Sequence, residues 1–375
     1  MSAASSASTA APKKVLMKGN EALAEAALRA GCRCFFGYPI TPQTEVAAYM
    51  SKRMPQVEGV YLQAESEIAA INMVYGASAA GARVMTSSSS PGISLKSEGI
   101  SYLAATDLPA VIVNVQRGGP GLGGIQPSQA DYWQATRAMG HGDFHILVFA
   151  PSTVQEMADM VEVAFDRADR YRVPAMILAD GLLGQMMEPV VLPKEINPAD
   201  LPKKDWTLCG TGGVRPPHIV NSMRLQPDNL ERANNERFER YAAIKRDEQR
   251  AELYLCDDAE VVVVAFGACA RVAKSAVDQA RADGHKVGLL RPLTLWPWPE
   301  DAIEEVIAGG KLKVLLSVEM SLGQMIDDIK LTVNGRLPVE FYGRSGGIIP
   351  TPLEVKEQIA SLCARYASAK GGDAS

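Results

Sequence analysis

From Val15 onward, short apolar runs alternate with longer segments whose apolar positions recur at helical spacing. This rhythm predicts an α/β fold, a parallel sheet covered by helices. The pattern places helices over 20–30, 44–53, 65–80, 95–105 and 153–170. It places strands over 34–36, 57–63, 83–86, 109–116, 146–149 and 174–179. Asn20 is positioned to cap the first helix and Gly31 to stop it. The run P-A-V-I-V-N-V-Q at 109–116 is apolar almost throughout, as a strand buried on both faces should be. The helix over 65–80 has almost no polar side chain after its first turn, which predicts burial on most sides.

The rhythm breaks after residue 186, where Pro189, Pro193, Pro198 and Pro202 punctuate a loop-like stretch. Residues 228–255 are densely charged, helically spaced and of mixed sign, which reads as a solvated connecting helix. A second α/β unit opens at Glu260 with V-V-V-V-A-F-G. It continues with helices over 270–282, 299–307 and 353–366 and strands over 286–290, 313–318 and 339–342. The expected organisation is a disordered tail over 1–14, a doubly wound unit over 15–190, a linker and connecting helix over 191–255, and the second unit over 256–370.

Composition narrows the function. The chain has 375 residues, 47% hydrophobic and 22% charged, an ordinary globular composition. A net charge of −5 without a basic cluster argues against a nucleic-acid partner. No apolar run reaches the ~18 residues of a membrane span. The N-terminal tail lacks a signal peptide's apolar core, so a cytoplasmic protein is expected. Cys32 and Cys34 form the one close cysteine pair, with no second pair to complete a metal site, and core packing is the expected role of Cys34. The 4 histidines lack ligand spacing, so no metal site is expected on this chain.

Chemistry enters at 34–44, C-F-F-G-Y-P-I-T-P-Q-T. Pro39 and Pro42 stiffen the backbone around Ile40 and the hydroxyl of Thr41. A stiff loop after a strand of such a sheet is where ligands bind, although the same residues would also make a rigid turn without chemistry. Glu65 and Glu67 stand at the start of an apolar helix, where the helix dipole stabilises a carboxylate by about 0.3–1 kcal/mol. Capping suits Glu65. A buried Glu67 needs a partner or a task. Arg117 follows the most apolar strand and precedes R-G-G-P-G-L-G-G, where its fork could reach a carboxylate or phosphate. Ser87 to Ser90 offer 4 hydroxyls in a loop, for a ligand or merely to end a strand. No Walker A sequence or G-x-S-x-G elbow is present, and the glycines at 118–124 do not open directly into a helix of the right kind, which argues against a dinucleotide site. Gly142-Asp143 and Gly372-Asp373 are not followed by the asparagine of a magnesium–diphosphate motif. The chain therefore reads as one part of a shared active site.

Y-P-I-T-P at 38–42, the E-S-E-I-A-A helix, S-P-G at 90–92, V-N-V-Q-R-G-G-P at 113–120 and the charged connector resemble the α subunit of 2-oxoacid:ferredoxin oxidoreductases. The resemblance spans nearly all the chain after residue 14. G-L-G-G-I-Q-P-S-Q-A-D-Y at 121–132, with G-H-G-D at 140–143 and D-G-L-L-G-Q-M-M-E-P at 180–189, is most similar to the 3-methyl-2-oxobutanoate branch. The resemblance implies a thiamine-diphosphate pyrimidine-type domain followed by a transketolase C-terminal-like domain. The implied reaction turns a 2-oxoacid, coenzyme A and oxidised ferredoxin into acyl-CoA, carbon dioxide and reduced ferredoxin. A β subunit would share the thiamine diphosphate and supply its magnesium site. A γ subunit, a ferredoxin-like δ subunit and an external ferredoxin would complete the system, with 4Fe–4S clusters off this chain.

The same resemblance assigns roles by position. Glu67, nine residues before Gly76 and fourteen before Gly81, would bond the aminopyrimidine ring nitrogen and favour its imino tautomer, with Pro39 and Ile40 beside the cofactor. Thr41 and Arg117 would hold the substrate carboxylate, and Gln126 to Ser128 would face the side-chain pocket. A 2-oxoglutarate or aryl glyoxylate substrate, or a non-catalytic scaffold that docks the β subunit, stays open.

Overall fold

The computed structural model describes residues 13–137 and 139–367. The expected tail lies outside them up to residue 12, and Lys14 already belongs to the first strand. The elements in order are β1 (Lys14–Lys18), α1 (Gly19–Arg29), β2 (Cys34–Gly37), α2 (Thr44–Arg53), β3 (Val60–Gln63), α3 (Glu67–Ala79), β4 (Val84–Ser88), α4 (Ser90–Ala105) and β5 (Val111–Gln116). Then come α5 (Tyr132–Thr136), β6 (Leu147–Phe149), α6 (Val154–Tyr171), β7 (Ala175–Asp180), α7 (Gly181–Gln185) and β8 (Met187–Val191). After the connector α8 (Pro227–Asp247) follow β9 (Ala251–Tyr254), β10 (Val261–Val264), α9 (Gly267–Ala282), β11 (Val287–Pro292), β12 (Thr294–Trp296), α10 (Glu300–Ala308), β13 (Val314–Glu319), α11 (Met325–Val333), β14 (Val339–Gly343) and α12 (Pro352–Ala367).

The doubly wound sheet is present, with strand order β12-β6-β7-β5-β4-β2-β3. Right-handed crossovers put α2 and α6, which run one way along the sheet, on one face. They put α3 and α4, which run the other way, on the opposite face. Contacts agree: α1 packs on α2 and α6, and α3 packs on α4. The winding direction reverses between β2 and β4, so a crevice opens beyond their carboxyl ends, where ligands of open α/β sheets bind. That crevice receives the turn after β2 and the serines after β4.

Two expectations need correction. The strand near Val15 is not in the parallel sheet: β1 pairs antiparallel with β8 in a ribbon of its own. The serines at 87–90 are not a loop either. Ser87 and Ser88 end β4, and α4 begins at Ser90 with Pro91 in its first turn, where a missing N–H is harmless. The second sheet, β14-β13-β10-β11-β9, is parallel except for β9. Its β10 is 4 valines, all buried. The three residues of β12, by contrast, leave the second unit and pair antiparallel with β6.

The units are joined by polar contacts as well. Gln129 donates its backbone N–H to the Met320 carbonyl at 2.9 Å and its amide to the Phe266 carbonyl at 2.8 Å. Its own amide oxygen accepts from Met320 N–H at 3.0 Å. Buried Asp180 accepts from the Leu182, Leu183 and Ala268 N–H groups, and burial nonetheless pushes its carboxyl up to about 6 from 3.8. An unfolded carboxyl ionises before the folded one, so stability falls as pH rises across that interval, by about 3 kcal/mol. Asp180→Asn should therefore gain on the native chain between pH 4 and pH 7, read from denaturant midpoints at each pH.

The seam between α3 and α4 is narrow. Gly92, Lys96 and Gly99 share one face of α4, and a methyl at Gly99 would sit 2.5 Å from Cγ2 of buried Ile71. Overpacking of this kind costs about 1–3 kcal/mol, while Gly→Ala in a helix returns about 1 kcal/mol. Gly99→Ala should thus lower the melting temperature. Connector α8 braces the far end of the seam, where Arg237 donates to the Ala104 and Ala105 carbonyls at the end of α4.

Candidate active site

The turn after β2 is held from several sides. Gln43 N–H bonds the Ile40 carbonyl at 3.2 Å, and the Gln43 amide reaches back to the Tyr38 carbonyl at 3.2 Å. Ser87 donates to the Gln43 amide oxygen. Asn20, fully buried, donates to the Pro42 carbonyl at 2.9 Å and to Glu45 at 3.0 Å. Asn20 is thus a clamp and not a cap. Helix α1 begins a residue earlier than expected, with Lys18 in the cap position and no side-chain cap bond.

Arg117 leaves the end of β5, crosses the end of β4 and donates to the Thr41 carbonyl at 2.9 Å. A second nitrogen bonds the Leu122 carbonyl at 3.3 Å, and buried Nε has no partner. The backbone of Arg117 is fixed as well. Its N–H bonds the Ser90 hydroxyl at 3.1 Å, and Ser90 donates to Asp131 at 2.6 Å. Asn114 also donates to Asp131, at 2.9 Å. Burial holds the Asp131 carboxyl above its usual range, and the bonds from Ser90 and Asn114 pull it back. The sequence reading missed Asp131, whose loop position looked unremarkable.

The Thr41 hydroxyl is exposed. It lies on a cleft of about 520 Å³ that Pro42, Ile125, Gln126, Pro127, Leu182 and Ile349 also line. Gln126 is exposed there, and a methyl on Gly347 of the second unit would sit 2.3 Å from its Cβ. Ser128 is elsewhere: buried, it accepts from Ala130 N–H and donates to the Met320 carbonyl at 3.4 Å. Pro39 is exposed and Ile40 half-buried.

Glu67 opens α3 and is 6% exposed. Glu65 is outside the helix and exposed, and Ser66 caps instead, accepting from Ala69 N–H at 3.1 Å. Helix α3 buries only one face. Ile68, Asn72 and Gly76 stay open, because among the described residues α3 packs chiefly on α4, β2 and β4. Among the described residues Glu67 forms no side-chain hydrogen bond or ion pair, and none links it to Thr41 or Arg117. It faces Gly92, where a methyl would sit 2.7 Å from Oε1 and 2.1 Å from the Ser88 hydroxyl. The hydroxyls of Ser88 and Ser89 are buried without partners.

Lys96 was not anticipated at all. It is fully buried and donates to the Thr86 hydroxyl at 2.7 Å and the Ser87 carbonyl at 3.0 Å. Burial brings its ammonium down to about 7, and the Glu67 charge opposes that shift. Cys32 is inert: burial pushes its thiol up to about 12, and it donates to the Cys34 carbonyl at 3.4 Å.

A polar crevice at the switch point, with a buried carboxylate on one side and a fixed arginine on the other, defines a ligand-binding α/β domain. Residues 25–252 match the family described as pyruvate flavodoxin/ferredoxin oxidoreductase, thiamine diphosphate-binding, and residues 259–355 match pyruvate:ferredoxin oxidoreductase core domain II. The chain belongs to the 2-oxoacid:ferredoxin oxidoreductase family, as a subunit of its ketoisovalerate branch. A ketoisovalerate oxidoreductase subunit VorB of Methanothermobacter marburgensis is 52% identical over 332 residues, 88% of this chain and 93% of that protein. The 2-oxoglutarate synthase subunit KorA of the same organism is 36% identical over 377 residues, 93% of this chain and 99% of that protein. A 2-oxoglutarate:ferredoxin oxidoreductase from Magnetococcus marinus, solved with 2-oxoglutarate, coenzyme A and succinyl-CoA bound, superimposes with a TM-score of 0.84 at 27% identity. This chain is covered to 94% in that superposition and spans 66% of the solved chain. Among the described residues, no helix is long and apolar enough to cross a membrane.

Proposed function

We propose that this chain is the catalytic α subunit of a cytoplasmic complex that converts 3-methyl-2-oxobutanoate, coenzyme A and oxidised ferredoxin into acyl-CoA, carbon dioxide and reduced ferredoxin. The carrying observation is Arg117, anchored to the Thr41 carbonyl with Nε buried and unpartnered beside an exposed hydroxyl. A guanidinium fork suits a carboxylate, and anchoring it positions the keto carbon before reaction.

The residues fit thiamine diphosphate. Glu67 is a buried carboxylate without a hydrogen bond, next to unpartnered serine hydroxyls, which suits the ring nitrogen of an aminopyrimidine. When bound, that cofactor supplies the electron sink for cleaving the carbon–carbon bond. Glu67 would hold and release the proton at the ring nitrogen, while Thr41 and Arg117 would orient the 2-oxoacid. A β subunit would bring the diphosphate and magnesium site, γ and ferredoxin-like δ subunits would complete the complex, and 4Fe–4S clusters on β and δ would carry the electrons. The open side of α3, with Ile68 54% exposed, supports a partner at the crevice.

The cleft favours an aliphatic side chain. Ile125, Pro127, Leu182 and Ile349 offer apolar surface, and Glu45 is the one charged residue among those described along it. The second carboxylate of 2-oxoglutarate would meet a like charge there. The higher identity to the ketoisovalerate subunit, 52% against 36%, supports the same choice. Acyl-CoA formation by the reconstituted complex should give its highest kcat/KM with 3-methyl-2-oxobutanoate, ahead of 2-oxoglutarate, pyruvate and an aryl glyoxylate. A preference for 2-oxoglutarate or the aryl acid would overturn the substrate assignment.

A further inference from the structure

We propose that Lys96 is a positioning residue that acts through Glu67, its ammonium serving as the counter-charge to that carboxylate inside the α3–α4 seam. The inference rests on the reading of Glu67 as the group that meets the cofactor ring.

The seam brings the two side chains into the same narrow space. Gly92 brings α4 onto Glu67, and Gly99 brings it onto Ile71 one turn further along α3. Lys96 lies between these two crossings on the same face of α4. Its Nζ is fixed by Thr86 and Ser87 at 2.7 and 3.0 Å, so two of its three donors are spent on β4. A fully buried ammonium is costly unless a charge or strong acceptors compensate it. Thr86 and Ser87 are neutral, and Glu67 on α3 is the charged group that acts on Lys96. Among the described residues Glu67 in turn has no hydrogen-bond or ion-pair partner. Each group therefore supplies what the other lacks, at a separation beyond a direct ion pair, which leaves the carboxylate oxygens unspent. A glutamate already locked in a salt bridge could not offer those oxygens to a ring nitrogen. Lys96 also carries a pH response: burial places its titration near 7, so its influence on Glu67 fades as pH rises through that value.

A merely structural lysine, one that only satisfies Thr86 and Ser87, would be insensitive to the identity of residue 67. The two cases separate in a double-mutant cycle on the assembled complex. Thiamine diphosphate is titrated by calorimetry into the native, Lys96→Met, Glu67→Gln and doubly substituted complexes at pH 6, 7 and 8. Lys96→Met should weaken binding on the order of tenfold at pH 6, flatten the pH dependence, and change nothing further when residue 67 is glutamine. Lys96→Gln, which keeps a donor for Thr86 without the charge, should behave the same way and replaces the methionine variant if that one does not assemble. Equal losses in both backgrounds, or no loss in either, would overturn the role of Lys96 while leaving Glu67 in place. If Glu67→Gln alone changes neither binding nor turnover, the reading of Glu67 falls and the Lys96 proposal with it.

Discussion

Replacing Glu67 with glutamine lowers steady-state acyl-CoA formation by about 10²–10⁴-fold, the range of a positioned proton-transfer group. The same change leaves assembly intact. Glutamine keeps the size and burial of the side chain, and Glu67 makes no hydrogen bond that the fold would lose. What the fold forfeits is the interaction of a carboxylate with the first turn of α3, about 0.3–1 kcal/mol, together with the counter-charge to Lys96, whose ammonium can shed its proton near pH 7. Gel filtration with steady-state kinetics on one preparation reads assembly and turnover together. Retained turnover would remove Glu67 from the chemistry.

Arg117→Lys lowers kcat/KM for the 2-oxoacid by about 10²-fold, the penalty for a reactant misplaced by about 1 Å. Charge is kept, so a purely electrostatic role would survive the change. Lysine cannot bond the Thr41 and Leu122 carbonyls and still direct a planar N–H at a carboxylate. Both the substrate contact and the rigidity of the turn are lost. Thr41→Ser keeps the hydroxyl and the carbonyl that Arg117 grips, and its kcat/KM should stay within a few-fold of native. Unchanged kinetics in Arg117→Lys would contradict a carboxylate-holding role.

The parallel sheets were legible because their strands are apolar almost throughout. The runs around Val111–Gln116 and Val261–Val264 are buried over their whole length. The three residues of Thr294–Trp296 carry too little pattern to announce a strand, and nothing local says that they join the other unit's sheet. The alternation that starts at Val15 reads as one parallel sheet, yet Lys14–Lys18 pairs antiparallel with Met187–Val191, since periodicity says nothing of a strand's partner. At the site, Thr41 and Arg117 were legible from proline stiffening and from a charge at the end of an apolar strand, and the structure brings them together. Asn20 and Lys96 were not. Asn20 looks like a cap because caps and clamps use the same side chain. Lys96 sits in I-S-L-K-S-E-G-I, where a lysine reads as solvent-exposed. The available signal was the seven-residue spacing of Gly92 and Gly99, which marks a close helix–helix approach and puts Lys96 inside it.

Release of labelled carbon dioxide from carboxyl-labelled 3-methyl-2-oxobutanoate in the first turnover isolates carbon–carbon cleavage from electron transfer and coenzyme A. The native complex, loaded with thiamine diphosphate, should release about one equivalent per active site, and the Glu67→Gln complex should release none on the same timescale. An equal burst from both complexes would contradict the assignment of Glu67, and with it the claim that this chain contributes the chemistry.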